Sequence, residues 1–298
     1  MAATTNPKLR NVVELFNALP VRQPSDISIV GSSGTDVITV HVQGVARLGA
    51  GYVMTHSNVD GSDGVLLIDD GSRKAKAFPL AEGSIDGNRL SHPGGCQLIG
   101  DYLVTGFEPI PANHNVSRIR FFDLSNPAHP VAMTEPAPIE RHDQKAGAVG
   151  VANLTQDTPN GPAEFWFVGI YDNGRVDIHR SDGRPFPGTG FSLLFSATIP
   201  DGYEGLCLVA EETNQLFAVA FRQDSRLRDK AELYAVLLDT QKLELLESRE
   251  FRANLIENTH FRWGTGVDIR SRDEFAILVS GRNFLPACHI NTFSAKAG

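Results

Sequence analysis

The stretch GVARLGAGYVMTHSN (Gly44–Asn58) aligns without a gap on GGCQLIGDYLVTGFE (Gly94–Glu108), 50 residues further along the chain. Tyr52 falls on Tyr102, and each copy consists of two apolar runs separated by a turn that contains glycine. Apolar runs of this length around such a turn are typical of a β-hairpin. Two copies at a fixed offset indicate an internal repeat, so the hairpin is one part of a recurring unit.

Three weaker copies follow, and each begins at a glycine. They begin at Gly147, Gly205 and Gly264, so successive copies start 50, 53, 58 and 59 residues apart. Every copy except the last continues with two further extended segments that end in turn residues. Units of four short strands at roughly this period are typical of β-propellers. The sequence therefore predicts an all-β fold, a five-bladed β-propeller.

The two ends of the chain complement each other in this prediction. Only 34 residues follow Gly264, which leaves room for three short strands in the last blade. The stretch DISIVGSSGTDVITVHV (Asp26–Val42) contains two strand-like runs, and either run can supply the fourth strand. The sequence also leaves open a sixth blade formed by residues 20–43.

A short helix is predicted before the first strand, in the stretch NPKLRNVVELFNAL. Asn6 is in a position to cap this helix, and Pro7 suits its first turn. One face of the helix is apolar and consists of Leu9, Val12, Val13, Phe16 and Leu19. We therefore predict an N-terminal helical extension over residues 1–24 and a single propeller domain over residues 25–298, closed by N- and C-terminal strands.

Charge and hydropathy exclude several classes of partner. A net charge of −8 and a pI near 5.6 argue against a nucleic-acid-binding surface. No apolar stretch approaches the length of a membrane span, and the residues MAATTNPKLR lack the apolar core of a signal peptide. We therefore expect a cytoplasmic protein without a nucleic-acid or membrane partner, and the sequence sets no oligomeric state.

Polar and aromatic residues mark one end of the predicted channel. In a propeller blade the first strand lines the channel and the second runs antiparallel to it, so the start of the first and the end of the second lie on one face. Residues at these positions differ from blade to blade, and this divergence indicates a ligand site. His92 and Glu108 are the predicted catalytic residues. The predicted substrate-binding residues are Lys145, Tyr171, Tyr203, Glu204, Arg222, Arg262, Trp263 and Arg282.

These residue types suit proton transfer on a small organic molecule. An imidazole and a carboxylate, such as His92 and Glu108, commonly act as general acid and base. The arginines and Lys145 would bind an anionic group of the substrate, such as a carboxylate, enolate or phenolate. Because no GxSxG, HExxH, P-loop or dinucleotide-binding motif occurs, we expect no cofactor. The sequence therefore favours a non-redox lyase, isomerase or cyclase.

Three other functions stay open. His41, His56 and His92 come from neighbouring blades and, with a carboxylate, would suit a divalent metal such as zinc or iron, as in a metal-dependent hydrolase or lactonase. A glycosidase needs a separated carboxylate pair, for which Glu108 and Glu204 are candidates, but the channel strands carry few other acidic residues. A ligand- or protein-binding propeller without catalysis is the third.

The best-formed unit resembles the single-domain propellers of the LVIVD-repeat type. The resemblance is carried by HPGGCQLIGDYLVTGFE (His92–Glu108), with its Gly-Asp-Tyr-Leu hairpin, and by SRIRFFDLSNPAHP (Ser117–Pro130). It covers one blade well, the first blade partly and the others loosely. Because that group is largely uncharacterised, the resemblance implies a propeller fold rather than an activity. The His-Pro-Gly start is also similar to propeller lactonases, whose calcium cage has no counterpart in this sequence.

Overall fold

The computed structural model describes residues 7–31, 41–57, 63–110, 114–225, 227–252, 259–283 and 287–297. These ranges contain one short helix, α1 (Val12–Ala18), and twenty-two β-strands, of which β1 (Ser25–Gly31) comes first. The predicted five-bladed propeller with a short N-terminal helix is confirmed. No helix in these ranges is long and apolar enough to cross a membrane.

Each blade is an antiparallel sheet, and in every blade except blade 2, where β7 is innermost, the first strand lies innermost. Blade 1 contains β2 (His41–Leu48), β3 (Gly51–Ser57), β4 (Val65–Asp69) and β5 (Lys74–Pro79). Blade 2 contains β6 (Ser84–Ile85), β7 (Asn88–Ile99), β8 (Tyr102–Pro109), β9 (Ser117–Asp123), β10 (Val131–Ala132) and β11 (Ile139–Arg141). The last two are short, and both pair with β9, so together they replace the fourth strand.

The other three blades follow the same order from the channel outwards. Blade 3 contains β12 (Ala148–Thr158), β13 (Gly161–Asp172), β14 (Arg175–Ser181) and β15 (Phe191–Thr198). Blade 4 contains β16 (Gly205–Ala210), β17 (Leu216–Ser225), β18 (Arg228–Leu237) and β19 (Lys242–Arg252). Blade 5 contains β20 (Thr265–Ser271), β21 (Glu274–Ser280) and β22 (Cys288–Lys296).

Strand β1 completes blade 5. It pairs antiparallel with β22, with Ser25 opposite Thr292 and Ile29 opposite Cys288. The first of the two strand-like runs in the N-terminal stretch therefore supplies the missing strand, and the ring has five blades. The second run falls largely on residues 32–40, which lie outside the described residues.

The helix begins later than the sequence predicts. Asn11 is its N-cap, and the side-chain oxygen of Asn11 accepts a hydrogen bond from the Glu14 amide at 3.0 Å. Asn6, the predicted cap, lies outside the described residues. Leu9 is extended rather than helical, because its amide donates to the Ala210 carbonyl of blade 4 at 3.0 Å. Pairing with β16 therefore takes the place of the predicted first helical turn.

The apolar face of α1 is buried between blades 4 and 5. Phe16 belongs to one apolar cluster with Phe217 and Phe251 of blade 4 and Phe293 of blade 5. The Arg249 guanidinium of β19 donates to carbonyl groups at the helix end, which fixes the helix C-terminus. The helix thus fills a groove between blades rather than covering the channel. The predicted domain boundary at residue 24 stays a prediction.

Close contact between neighbouring innermost strands explains the recurring glycines. In each blade a Cβ on one glycine would overlap an atom of the next blade around the ring. The overlaps are Gly44 with Cys96 N, Gly94 with Ala146 O, Gly150 with Leu208 N, Gly205 with Thr265 Oγ1 and Gly266 with Val45 O. In blade 3 this glycine is Gly150 and not Gly147, at which the repeat alignment begins. Space, rather than a special backbone conformation, therefore requires glycine at these positions.

A buried glutamine ties three innermost strands together. The Gln97 side chain of β7 donates to the Leu208 carbonyl at 2.7 Å, and it accepts from the amides of Val151 and Leu208 at 2.9 and 2.8 Å. It lies between His92 at one opening of the channel and Leu98 at the opposite opening. Three buried hydrogen bonds from one amide fix the relative positions of blades 2, 3 and 4.

Two alanine substitutions three positions apart, one on β12 and one just before it, test the glycine contact. Gly150→Ala places a Cβ 2.6 Å from Leu208 N and 2.8 Å from Cys207 C, so we expect a loss of about 2 kcal/mol in the free energy of unfolding. Gly147→Ala is the matched control, since its nearest new neighbour is 3.8 Å away, and we expect a change within about 0.5 kcal/mol. Urea unfolding measures both, and equal stabilities of the two variants would contradict the close contact.

The role of α1 in the core is tested by Phe16→Ala. Because Phe16 is fully buried between two blades, we expect a loss of about 4 kcal/mol in the free energy of unfolding. Asn17→Ala, at the exposed neighbouring position, should change it by about 0.5 kcal/mol or less. If the N-terminal segment were a dispensable extension, the two variants would unfold at the same urea concentration.

Candidate functional site

A cavity of about 640 Å³ opens at the end of the channel where the innermost strands begin. Blades 1 and 2 contribute His41, His92 and Glu108 to its wall. His92 and Glu108 lie opposite each other on β7 and β8, with His92 Nδ1 3.4 Å from Glu108 Oε1. This distance is within ion-pair range but longer than a normal hydrogen bond. The strand register therefore brings the two predicted catalytic residues together.

Blades 3 and 4 supply predicted substrate-binding residues. Lys145, Tyr171, Tyr203 and Glu204 line the cavity. The Tyr171 hydroxyl donates to Asp201 Oδ1 at 3.1 Å and accepts from the Tyr203 amide at 3.2 Å. These bonds join the end of β13 to the loop before β16, and so fix the position of that loop.

The Tyr203 ring is held from behind by a second set of polar contacts. Its hydroxyl donates to the buried carboxylate of Glu232 and lies 2.7 Å from the hydroxyl of Tyr234. Ser248 also donates to Glu232, at 3.2 Å. The ring is therefore fixed in its orientation before a ligand arrives.

Blade 5 contributes Arg262, Trp263 and Arg282 to the cavity. The Cζ atoms of both arginines lie 5.2 Å from the centre of the Trp263 ring, a cation–π arrangement. The His41 ring meets the same indole edge-on at 5.7 Å. One tryptophan therefore positions two cations and one imidazole.

Arg222 and His56 are the two predicted residues that the structure places away from the cavity wall. Arg222 lies behind the Tyr203 ring, with its Cζ 5.6 Å from the ring centre, and one guanidinium nitrogen lies 3.9 Å from Glu232. His56 is fully buried inside blade 1. Burial, with a further contribution from His41, lowers the pKa of His56 to about 3.

The metal alternative finds no geometric support in the described ranges. Within them, no group of three or more histidine, cysteine, aspartate or glutamate side chains is arranged to hold a metal ion. The Gln43 amide lies between the two cavity histidines, with its nitrogen 3.0 Å from His92 Nε2 and also bonded to His41 Nε2. The metal site that the sequence left open for His41, His56 and His92 is therefore not formed among the described residues.

The Gln43 amide instead sets where the histidine protons lie. An amide NH2 group only donates, so in this arrangement the Nε2 atoms of His41 and His92 are the acceptors, and the Nδ1 atom of each ring carries a proton. His41 Nδ1 then faces Ser57 Oγ at 3.4 Å, and His92 Nδ1 faces Glu108. Glu108 Oε2 is buried and has no hydrogen-bond partner in the described part of the chain.

Two acidic residues join the cavity wall beyond those predicted. Asp172 lines the cavity because it is the last residue of β13, although its Asp-Asn-Gly context indicates only a turn. Asp201 lies on the loop before blade 4, which the repeat does not cover, so no sequence signal identified it. The acids at this mouth thus come from turns and loops as well as from the channel strands.

Burial changes the pKa of acidic residues that line the cavity. It raises the pKa of Glu204, and the charge of Asp201 adds to this shift while Arg262 opposes it. Burial also raises the pKa of Asp172, to which the nearby Glu108 contributes. Asp172 and Glu204 therefore both hold their protons more strongly than ordinary carboxyl groups do.

No protein-family model matches the sequence, and no curated protein matches it. Among solved structures, the chain is similar to the catalytic domain of a family 62 α-L-arabinofuranosidase from Coprinopsis cinerea, at 12% identity and a TM-score of 0.52, over 100% of both chains. It is also similar to a glycoside hydrolase at 11% identity and a TM-score of 0.49, over 95% of this chain and 94% of that one. A family 117 glycoside hydrolase from Zobellia galactanivorans is similar at 8% identity and a TM-score of 0.44, over 91% of this chain and 90% of that one. At these identities the likeness to the arabinofuranosidase domain supports the propeller fold and nothing finer.

The positive charges that Arg262 and Arg282 place on the cavity wall are tested through the titration of His41. Burial comes first among the causes that lower its pKa from 6.5 to about 4, followed by the charges of His92, Arg282 and Arg262. We expect NMR of the imidazole nitrogens to give a pKa near 4, and Arg282→Gln to raise it because one positive charge is removed. Arg228→Gln, which removes an exposed guanidinium elsewhere, should leave it unchanged. A pKa near 6.5 for His41 in the unsubstituted protein would contradict its burial beside these positive charges.

The same shift fixes the sign of a pH effect on stability. Below pH 6.5 the unfolded chain binds a proton at His41 that the folded protein does not bind until about pH 4. The contribution of this residue to the free energy of unfolding is therefore complete above pH 6.5 and falls as the pH is lowered towards 4.

Proposed function

We propose that the protein is a cofactor-independent hydrolase that acts on a small, polyhydroxylated substrate in this cavity, and that glycosides are the class to test first. One observation carries the proposal: a single cavity holds two carboxyl groups in contrasting surroundings, Glu108 beside His92 on blade 2 and Glu204 on the loop before blade 4. General acid and general base catalysis need such a pair.

Glu108 is assigned the role of general base. Its Oε1 faces His92 Nδ1 at 3.4 Å, while its Oε2 has no hydrogen-bond partner among the described residues. The imidazole orients the carboxylate, and the carboxylate then accepts a proton from a bound water. In this assignment His92 positions the base, and Gln43 keeps the imidazole proton on Nδ1.

Glu204 is assigned the role of general acid. Burial raises its pKa, so it keeps its proton to a higher pH than an ordinary glutamate and donates it to the leaving oxygen. It enters the cavity just before blade 4, whereas Glu108 enters from blade 2, so a substrate can lie between the two groups.

The acidic wall between them suits hydroxyl groups. Asp172 and Asp201 line the cavity on either side of Tyr171, and carboxylate oxygens accept hydrogen bonds from neighbouring hydroxyls. A polyhydroxylated molecule satisfies several such acceptors at once. The full-length similarity to an α-L-arabinofuranosidase domain adds a reason to begin with glycosides. The cytoplasmic location and the LVIVD-repeat relationship stay predictions.

Hydrolysis takes precedence over the elimination, isomerisation or cyclisation chemistry that the sequence favours. Hydrolysis requires only a bound water in addition to the two carboxyl groups, and the cavity of about 640 Å³ has room for both water and substrate. The same two residues would serve a lyase, so the nature of the product distinguishes the two reactions.

The proposal is tested with matched carboxyl variants on a panel of alkyl and 4-nitrophenyl glycosides. Glu204→Gln should lower kcat/KM for alkyl glycosides by roughly 10²–10⁴-fold, and less for 4-nitrophenyl glycosides, whose leaving group needs no proton. Glu108→Gln should lower both to a similar extent, because water activation is needed for either substrate. The basic limb of the pH–rate profile should disappear in Glu204→Gln.

Glu244→Gln, on the exposed face of β19, is the control and should retain full activity. The proposal is wrong if a folded Glu108→Gln or Glu204→Gln protein hydrolyses alkyl glycosides as fast as this control. Absence of hydrolysis across the whole panel by the unsubstituted protein would favour a lyase or a binding propeller instead.

A further inference from the structure

The blade 5 side of the cavity presents two positive charges at its mouth. The guanidinium groups of Arg262 and Arg282 both lie against the Trp263 ring, and both are exposed at the cavity mouth. In the described part of the chain, neither guanidinium forms an ion pair with a carboxylate. Two cations held by one ring repel each other, and an anion bound between them would relieve that repulsion.

The neighbouring imidazole reinforces this charge pattern by staying neutral. His41 meets the same indole, and burial together with the charges of His92, Arg282 and Arg262 keeps its pKa near 4. At neutral pH the wall therefore carries two permanent positive charges, supplied by the arginines. Both arginine side chains are restrained by the Trp263 ring, so little side-chain entropy is lost when they bind a ligand.

The part of the cavity wall that comes from blade 3 and from the loop before blade 4 has the reverse charge. Asp172, Asp201 and Glu204 lie there, and burial raises the pKa of both Asp172 and Glu204. A ligand with two negative charges would be repelled by this wall, whereas a single carboxylate directed towards blade 5 avoids it. Hydroxyl groups on the remainder of the same ligand would satisfy the acidic wall.

We propose that the substrate is a sugar acid, whose carboxylate is bound by Arg262 and Arg282 while its hydroxyl groups face the acidic wall. Guanidinium groups bind carboxylates through paired hydrogen bonds, which gives direction as well as attraction. The inference rests on the proposed hydrolysis of glycosides and names the substrate class, a glycoside of a uronic acid.

The test uses free monosaccharides that differ at a single carbon and that the enzyme cannot hydrolyse. Isothermal titration calorimetry compares D-galacturonate with D-galactose, D-glucuronate with D-glucose, and each with the corresponding hexose 6-phosphate. We expect the uronate of a pair to bind at least about tenfold more tightly than the neutral sugar. Because the two arginines are exposed, this preference should shrink at high ionic strength.

Charge-removing variants assign the preference to blade 5. Arg262→Gln and Arg282→Gln should each reduce it, and the double variant should abolish it while the weak binding of the neutral sugar remains. Arg228→Gln, outside the cavity, should retain the full preference. Urea unfolding of each variant verifies that the fold is intact.

Equal binding of acid and neutral sugar, or a preference that survives in the double variant, would overturn the inference. Tighter binding of the hexose phosphates than of the uronates would overturn the assignment to a carboxylate. Hydrolysis of neutral glycosides without a uronate preference leaves the proposed function intact and removes this inference. A uronate preference that depends on the two arginines, without hydrolysis of any glycoside, supports the carboxylate site and removes the proposed function.

Discussion

The backbone contact between neighbouring innermost strands is the constraint on which the cavity depends. At Gly44, Gly150 and their counterparts a side chain would overlap the next strand, so the five strands approach one another closely around the channel. Each of these strands begins at the same opening, and each second strand ends there. Residues that are far apart in sequence, such as His92 on β7 and Tyr171 on β13, therefore reach one cavity without any loop having to carry them inwards.

Charge is distributed unevenly around this opening, and that distribution gives the cavity its chemical character. Two arginines on Trp263 make one part of the wall positive, while carboxyl groups at the end of β13 and on the loop before β16 make another part acidic. Neighbouring charges and burial then separate the protonation behaviour of similar groups: His41 stays neutral, and Glu204 holds its proton more strongly than an ordinary glutamate. A site of this kind binds polar molecules in one orientation and has an acid and a base available when they arrive.

The repeat was sufficient to predict the fold and much of the cavity wall, because strand order fixes which residues share a face. His92 and Glu108 follow directly from the hairpin register. Other features depend on contacts that the repeat does not encode. Asp201 lies on a loop between units, and Arg222 is directed behind Tyr203 because Glu232 and the ring attract it there. The first turn of the predicted helix gives way to a strand-like pairing with blade 4. Tertiary contacts, rather than local sequence, decide each of these cases.

The central claim is that Glu108 and Glu204 together direct water to a glycosidic carbon. The most direct measurement is the origin of oxygen in the product, obtained by mass spectrometry after brief turnover of a uronic acid glycoside in ¹⁸O-labelled water. Hydrolysis predicts one labelled oxygen on the released sugar acid and no loss of water from it. An unlabelled product with a new carbon–carbon double bond would show elimination, and would contradict the account.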